Sequence, residues 1–144
     1  MSEQNFSNHT RLVAPFHFVL LPALLFGVVG SFVNLRQSMG DHQRLYSASL
    51  IVLVTIGLVP LALYARQFAL KAQDRAIRAE ENLRHFVLTG RLLDTRLSLR
   101  QIVALRFAAD AEFVALAQKA AASGMSARDI KKAVTDWRAD HDRA

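Results

Sequence analysis

The sequence predicts an all-α protein: a two-helix transmembrane hairpin, its second helix extended into a cytoplasmic stalk, followed by a small three-helix module. Three observations predict it. Residues 12–35 and 45–65 contain no charged side chain, and as helices rising about 1.5 Å per residue both runs cross the roughly 30 Å hydrocarbon core of a bilayer. Beyond the second run, apolar residues recur at alternating steps of three and four, the period of a helix with a packing seam. Finally, residues 98–144 hold two serine-led helix starts separated by short amphipathic stretches.

Segment 1–11 carries NFSNHTR and leads into LVAPFHF. A secretory signal needs an unbroken apolar centre, which Pro15, His17 and Pro22 interrupt, so the first span (12–35) reads as a retained anchor. Pro15 falls near the helix start, where proline is tolerated. Ala23, Gly27 and Ser31 form a four-residue stripe of small side chains, expected to let another helix approach closely. Loop 36–44 (RQSMGDHQR) is short and polar, so the spans form an antiparallel hairpin.

Orientation follows from lysine and arginine. Of 18 such residues only Arg11, Arg36 and Arg44 precede residue 66, and the rest crowd the chain after the second span. The positive-inside rule therefore expects both termini in the cytoplasm, at a bacterial inner membrane, with the loop arginines a weak contrary signal. The absence of cysteine fits that compartment, and the sequons at Asn5 and Asn8 would meet no glycosylating enzyme there.

Polar groups inside a bilayer need partners. With Leu12 and Ala65 at the cytoplasmic border, His17 lies about 7 Å deep, level with Pro60 of the second span (45–65). Proline has no N–H for the carbonyl of Ile56. His17 is therefore expected to donate there, or to Tyr64 or Thr55, and to lock the hairpin.

One continuous helix is expected from about Tyr46 to about Leu88, within a stalk placed at 66–97. Its seam runs through Ala62, Ala65, Ala69, Ala72, Ala76, Ala79, Leu83 and Phe86 towards Gly90, Leu93 and Leu97, with Arg75 and Glu80 at flanking g and e positions. The seam would pair two copies or receive the N-terminal segment. Asp74 with Arg78 and Glu80 with Arg84 stand four apart as ion pairs. In the module (98–144), Ser98 and Gln101 form a capping box stapled by Leu97 and Ile102, and Asp110 caps a helix with Phe113, Leu116, Ala117 and Ala120 inward. Ser126 and Asp129, stapled by Met125 and Ile130, open a last helix with Ile130, Ala133, Val134 and Trp137 on one face.

No motif for chemistry stands out. His9, His17, His42, His85 and His141 lack metal-ligand spacing, and no second-span histidine faces His17 across a haem. There is no phosphate-binding loop, nucleophile elbow or cysteine, and Asp129, Asp136, Asp140 and Asp142 lie among basic residues as charge balance. The expectation is a non-enzyme with no catalytic residue, metal or cofactor. After residue 65, 15 basic residues face 10 acidic ones. Arg100, Arg106, Arg128, Lys131, Lys132 and Arg138 are the surface expected to meet lipid headgroups or a protein partner, making the chain an assembly or adaptor subunit in the bilayer. AASGMSARDIKKAV has the spacing of a helix-turn-helix, which makes a tethered nucleic-acid binder the alternative, although lysines on an outer face more often serve solvation. A small oligomeric channel would need a polar face, to which Ser47, Ser49 and Thr55 contribute little.

NFSNHTR and FHF, then LKAQDRAIRAEE, LRQIVALRFAADAEF and IKKAVTDWRAD, resemble a family of small bacterial two-span membrane proteins known as a domain of unknown function. The resemblance covers nearly the whole chain. It implies a bacterial inner-membrane setting and brings no activity, cofactor or catalytic residue.

Overall fold

The computed structural model describes Asn5, Phe6 and residues 13–140. Asn8, His9, Arg11, Leu12, His141 and Asp142, named above for their sequence positions, lie outside the described residues. The fold is all-α. A π-helical turn, Pro15–Leu20, leads into α1 (Leu21–Gln37), followed by α2 (His42–Thr89), α3 (Leu99–Leu105), α4 (Asp110–Ser123) and α5 (Ala127–Ala133). The chain divides into two compact units, one of residues 13–69 and one of residues 70–140 with Asn5 and Phe6.

In the first unit the wide turn precedes Pro22, whose ring would crowd the carbonyl of Phe18 and which has no N–H to give it. The chain widens instead, and the Leu21 N–H bonds the carbonyl of Phe16, five residues back. Apart from Pro22 at its start, the less exposed residues of α1 and the turn after it are Leu21, Leu24, Val28, Ser31, Leu35 and Ser38; those of α2 within this unit are Leu45, Ala48, Val52, Thr55, Val59, Ala62 and Arg66. Both rows step by three and four, as antiparallel helices packed ridge into groove require. Of the expected small stripe only Ser31 is on this face. Ala23 and Gly27 are exposed, and a Cβ on Gly27 would meet nothing within 4 Å. Ser31 and Thr55 join hydroxyls at 3.0 Å across the helices, and each also bonds a carbonyl of its own helix, Val28 at 2.7 Å and Ile51 at 2.9 Å. At the turn, the Asp41 carboxylate accepts the N–H groups of Gln43 and Arg44 and starts α2.

The expected His17 lock is corrected. His17 Nδ1 bonds the carbonyl of Val13 at 2.9 Å, four residues back in its own turn, and the Thr55 hydroxyl goes to Ser31. The register explains it: continuing equal rises from the Ser31–Thr55 pair brings His17 level with Ala69, some nine residues or roughly 14 Å beyond Pro60. Arg66 lying over the Phe16 ring at 5.0 Å shifts the pairing in the same direction, six residues beyond Pro60. Pro60 and Tyr64 are exposed, the Tyr64 ring stacked on Phe68. The continuous helical segment Pro15–Gln37 and α2 are each long and apolar enough to cross a membrane, and their outward side chains, Phe18, Phe26, Leu53 and Leu61 among them, are exposed apolar groups. A continuous surface of that kind suits hydrocarbon better than water.

In the second unit α2 ends at Thr89, where Gly90 takes φ +71° and its N–H bonds the Phe86 carbonyl at 2.7 Å. Leu93 and Leu97, which extend the heptad spacing, leave the helix and bury themselves in the core with Ile102, Leu105, Phe107, Phe113, Leu116, Ala120, Ile130 and Val134. The Ser98–Gln101 capping box forms, and Ser126 accepts the Asp129 N–H. Asp110 does not cap α4; Ala109 takes that position and Asp110 turns to another partner. Gly124, φ +61°, closes α4 in the left-handed conformation that a glycine turn requires.

The last helix is shorter than the spacing implied. It stops at Ala133, Val134 is extended, and residues 134–140 return as a strap. Trp137 thus leaves the expected helical face and forms an isolated bridge with Ala108, against the Phe107 ring at 5.0 Å. The cause is Glu112. Its carboxylate accepts the N–H groups of Thr135 and Asp136 at 3.1 Å and the Thr135 hydroxyl at 2.6 Å, holding donors that a longer helix would need.

Candidate functional site

The second unit is organised around charge at the inner face of α2. Ile77, Glu81, Arg84 and His85 recur at helical spacing, and all four are buried or half-buried. Glu81 is 4% exposed. Arg84 donates to its carboxylate at 3.0 Å, to Asp110 at 2.6 Å and to the Ala108 carbonyl at 2.7 Å, with its guanidinium over the Phe113 ring at 4.2 Å. One arginine therefore clamps α2, the turn between α3 and α4, and the start of α4. His85 donates from Nδ1 to the Arg91 carbonyl at 2.7 Å and meets Phe113 edge to face, fixing the chain after Gly90.

Arg106, just past α3, is buried against the Phe107 ring and pairs with Asp140 at 3.0 Å, while Arg138 stands 3.9 Å from Glu81. Between them opens a cleft of about 300 Å³ lined by Ile77, Glu80, Glu81, Arg106, Arg138 and Asp140. Burial pushes the Glu81 carboxyl above its ordinary range, outweighing the pull of Arg84 and Arg138. Burial also works against the Glu112 anion, but the bonds from Thr135 and Asp136 outweigh it and hold that carboxyl below its usual value. The exposed Asp94 is drawn to about 2, chiefly by its bonds from Arg96. The cluster is an electrostatic clamp, and the described residues that line the cleft carry no hydroxyl or thiol.

The basic residues expected on one surface separate. Arg100, Arg128 and Lys132 are exposed, Lys132 with its ammonium 5.9 Å from the centre of the Phe6 ring. Lys131 is half-buried over Phe107, and Arg138 is 59% exposed on its side chain beside Glu81. Arg106 is corrected: it belongs to the interior, because its guanidinium stacks over the Phe107 ring and its charge is met by Asp140 of the strap. Neither expected four-residue ion pair forms, since Arg84 turns from Glu80 to the deeper Glu81 and Asp74 stays apart from Arg78. The helix-turn-helix reading finds its glycine turn, but α5 has only seven residues, Lys131 is covered and Arg138 lies off the helix.

Along the seam, Ala65, Ala69, Ala72, Ala76, Ala79, Leu83 and Phe86 are exposed, while Ala62 is half-buried in the row that meets α1. The sequence pattern did not single out Glu81 or Glu112, and it assigned Asp110 to a helix cap rather than to Arg84. A signal for Glu81 was present: it lies four residues after Ile77 and four before His85, on a face that the alanine seam obscured.

Comparison with curated proteins and with solved structures returned no match for the chain. A family profile matches it from residue 1 to residue 144, so the chain belongs to DUF6526, a family of unknown function.

Proposed function

We propose that the chain is a membrane-anchored adaptor without catalytic activity. Its hairpin sits in a bacterial inner membrane with both termini cytoplasmic, and its helical module offers exposed basic side chains to anionic lipid headgroups or to an acidic protein face. The observation that carries the reading is how the module's charges are divided. Glu81, Asp110 and Asp140 engage arginines of the clamp, Glu112 holds the strap and Asp129 its own helix start, whereas Arg100, Arg128 and Lys132 project into solvent. The surplus at the surface is positive, and near an anionic membrane each such residue contributes about 1 kcal/mol.

The test is co-flotation of residues 70–144 with phosphatidylglycerol or phosphatidylcholine vesicles at physiological salt. Binding is expected to the anionic vesicles alone. The triple variant Arg100→Gln, Arg128→Gln, Lys132→Gln should partition about a hundredfold more weakly. Equal binding to both lipids, or no change in the triple variant, would remove the headgroup reading. Salt-dependent binding to duplex DNA without lipid binding would favour the nucleic-acid alternative, for which exposed Arg128 and Lys132 after the Gly124 turn are the supporting feature.

A further inference from the structure

The face of α2 turned away from the module is built for another helix. At about 100° per residue, the centre of the row Ala72, Ala76, Ala79, Leu83, Phe86 lies roughly 165° around the helix from the buried row Ile77, Glu81, Arg84, His85. Packing of the module leaves the whole row exposed, with only Ala76 and the flanking Glu80 at the rim of the cleft. Leu83 is 63% exposed, Phe86 50% and the adjoining Val87 75%, beyond the uncharged stretch that ends at Ala65. Large apolar side chains in a heptad row outside hydrocarbon are unfavourable in water unless covered. The alanines of the row add only the room for a close approach.

We propose that this face is a parallel homodimer interface, with a second copy of the chain as its occupant. The flanking charges choose that partner. Arg75 and Glu80 are both exposed, sit on opposite shoulders of the row and are separated by five residues. In a parallel, in-register pair a g residue meets the e residue five positions on in its neighbour. Arg75 of each copy then faces Glu80 of the other, and the symmetry makes two such pairs from one sequence element. An antiparallel pairing has no comparable match. Common insertion of both copies in one bilayer leaves only the parallel arrangement, and shared confinement raises the effective concentration of a row too short to dimerise strongly by itself. This last step rests on the membrane reading above; the apolar row and the charge match do not.

The test uses the full-length chain in native membranes, with single cysteines introduced into a protein that has none. Ala76→Cys, Ala79→Cys and Leu83→Cys should each form a disulfide-linked dimer under mild oxidation, while Arg78→Cys, on the flank away from the row, should stay monomeric. Glu80→Arg in the Leu83→Cys background should lower the crosslinked fraction about tenfold, through two repulsive pairs. Arg75→Glu should do the same, and the double exchange Arg75→Glu, Glu80→Arg should restore it, which a merely misfolded variant would not show. Monomer at all three row positions, equal crosslinking at Arg78→Cys, or no rescue by the exchange overturns the proposal. An adduct of any mass other than two chains also overturns it, in favour of a different partner. Alkaline carbonate extraction run on the same membranes separates the two readings. Release of the chain defeats the membrane anchor, and a retained chain that gives only monomer defeats the dimer alone.

Discussion

Arg84→Met should unfasten the second unit at one point. Methionine keeps apolar cover over Phe113 but removes the donors to Glu81, Asp110 and the Ala108 carbonyl. The side chains of Arg84 and Glu81 are 11% and 5% exposed, so the loss belongs to the buried class, in which removing one partner costs about 3–5 kcal/mol. Arg138, 3.9 Å from Glu81, offsets part of that, which places the expected loss near 3 kcal/mol. For a unit of this length that corresponds to a fall of about 12–24 °C in Tm. The assay is thermal unfolding of residues 70–144 followed by circular dichroism. The pH dependence supplies a second reading. Because the Glu81 carboxyl is raised by burial, the folded state holds a proton that the unfolded chain releases near 4.5, and stability falls as pH rises from there to the folded value. Without Arg84 that carboxyl rises further, so the deficit of the variant should narrow as pH is lowered towards 4.5. Adding Glu81→Gln should recover much of the loss at neutral pH. A shift below about 4 °C, or a double variant no better than the single one, would refute the clamp.

Other perturbations separate the remaining contacts. Glu112→Ala should cost about 2–3 kcal/mol by releasing the Thr135 and Asp136 donors, and should shift the emission of Trp137, the single tryptophan, to the red. Since the Glu112 carboxyl is held low, its contribution is present above the unfolded value near 4.5 and lost as pH falls through the folded one; the variant should lack that acid loss. Ser31→Ala and Thr55→Ala should each weaken the hairpin by about 0.6 kcal/mol, read by denaturant titration in bicelles, because both hydroxyls also bond their own helices. His17→Phe should change the same titration by less than about 0.5 kcal/mol, since among the described residues His17 bonds the Val13 carbonyl of its own turn and no group of α2.

What could be read from the sequence was what the chain decides locally. Ser98 with Gln101 and Ser126 with Asp129 specify helix starts through side chains three residues apart, and Gly90 and Gly124 mark ends because only glycine takes the left-handed turn without strain. The uncharged runs disclosed the apolar helices by length alone. The hairpin register was hidden, because it depends on how many residues the turn consumes, and a shift of nine residues moved His17 away from Pro60. The strap was hidden for another reason. Val134 and Trp137 have helical spacing from Ile130, and nothing nearby in sequence reveals that a carboxylate twenty-three positions earlier holds the N–H of Thr135. The clamp is also a non-local choice: Arg84 could have met Glu80 or Glu81, and the approach of Asp110 and Ala108 favours the buried one.

Gln101 works at both scales with a single side chain. Its Oε1 accepts the Ser98 N–H at 2.7 Å, while its Nε2 donates to the Met125 carbonyl at 2.7 Å, ahead of α5. Closing the first turn of α3 and docking the approach to α5 are therefore a single thermodynamic event. The Ser98 amide should exchange its hydrogen at the rate at which the Met125 loop lifts away, and Gln101→Glu, which keeps the acceptor and removes the donor, should uncouple the two.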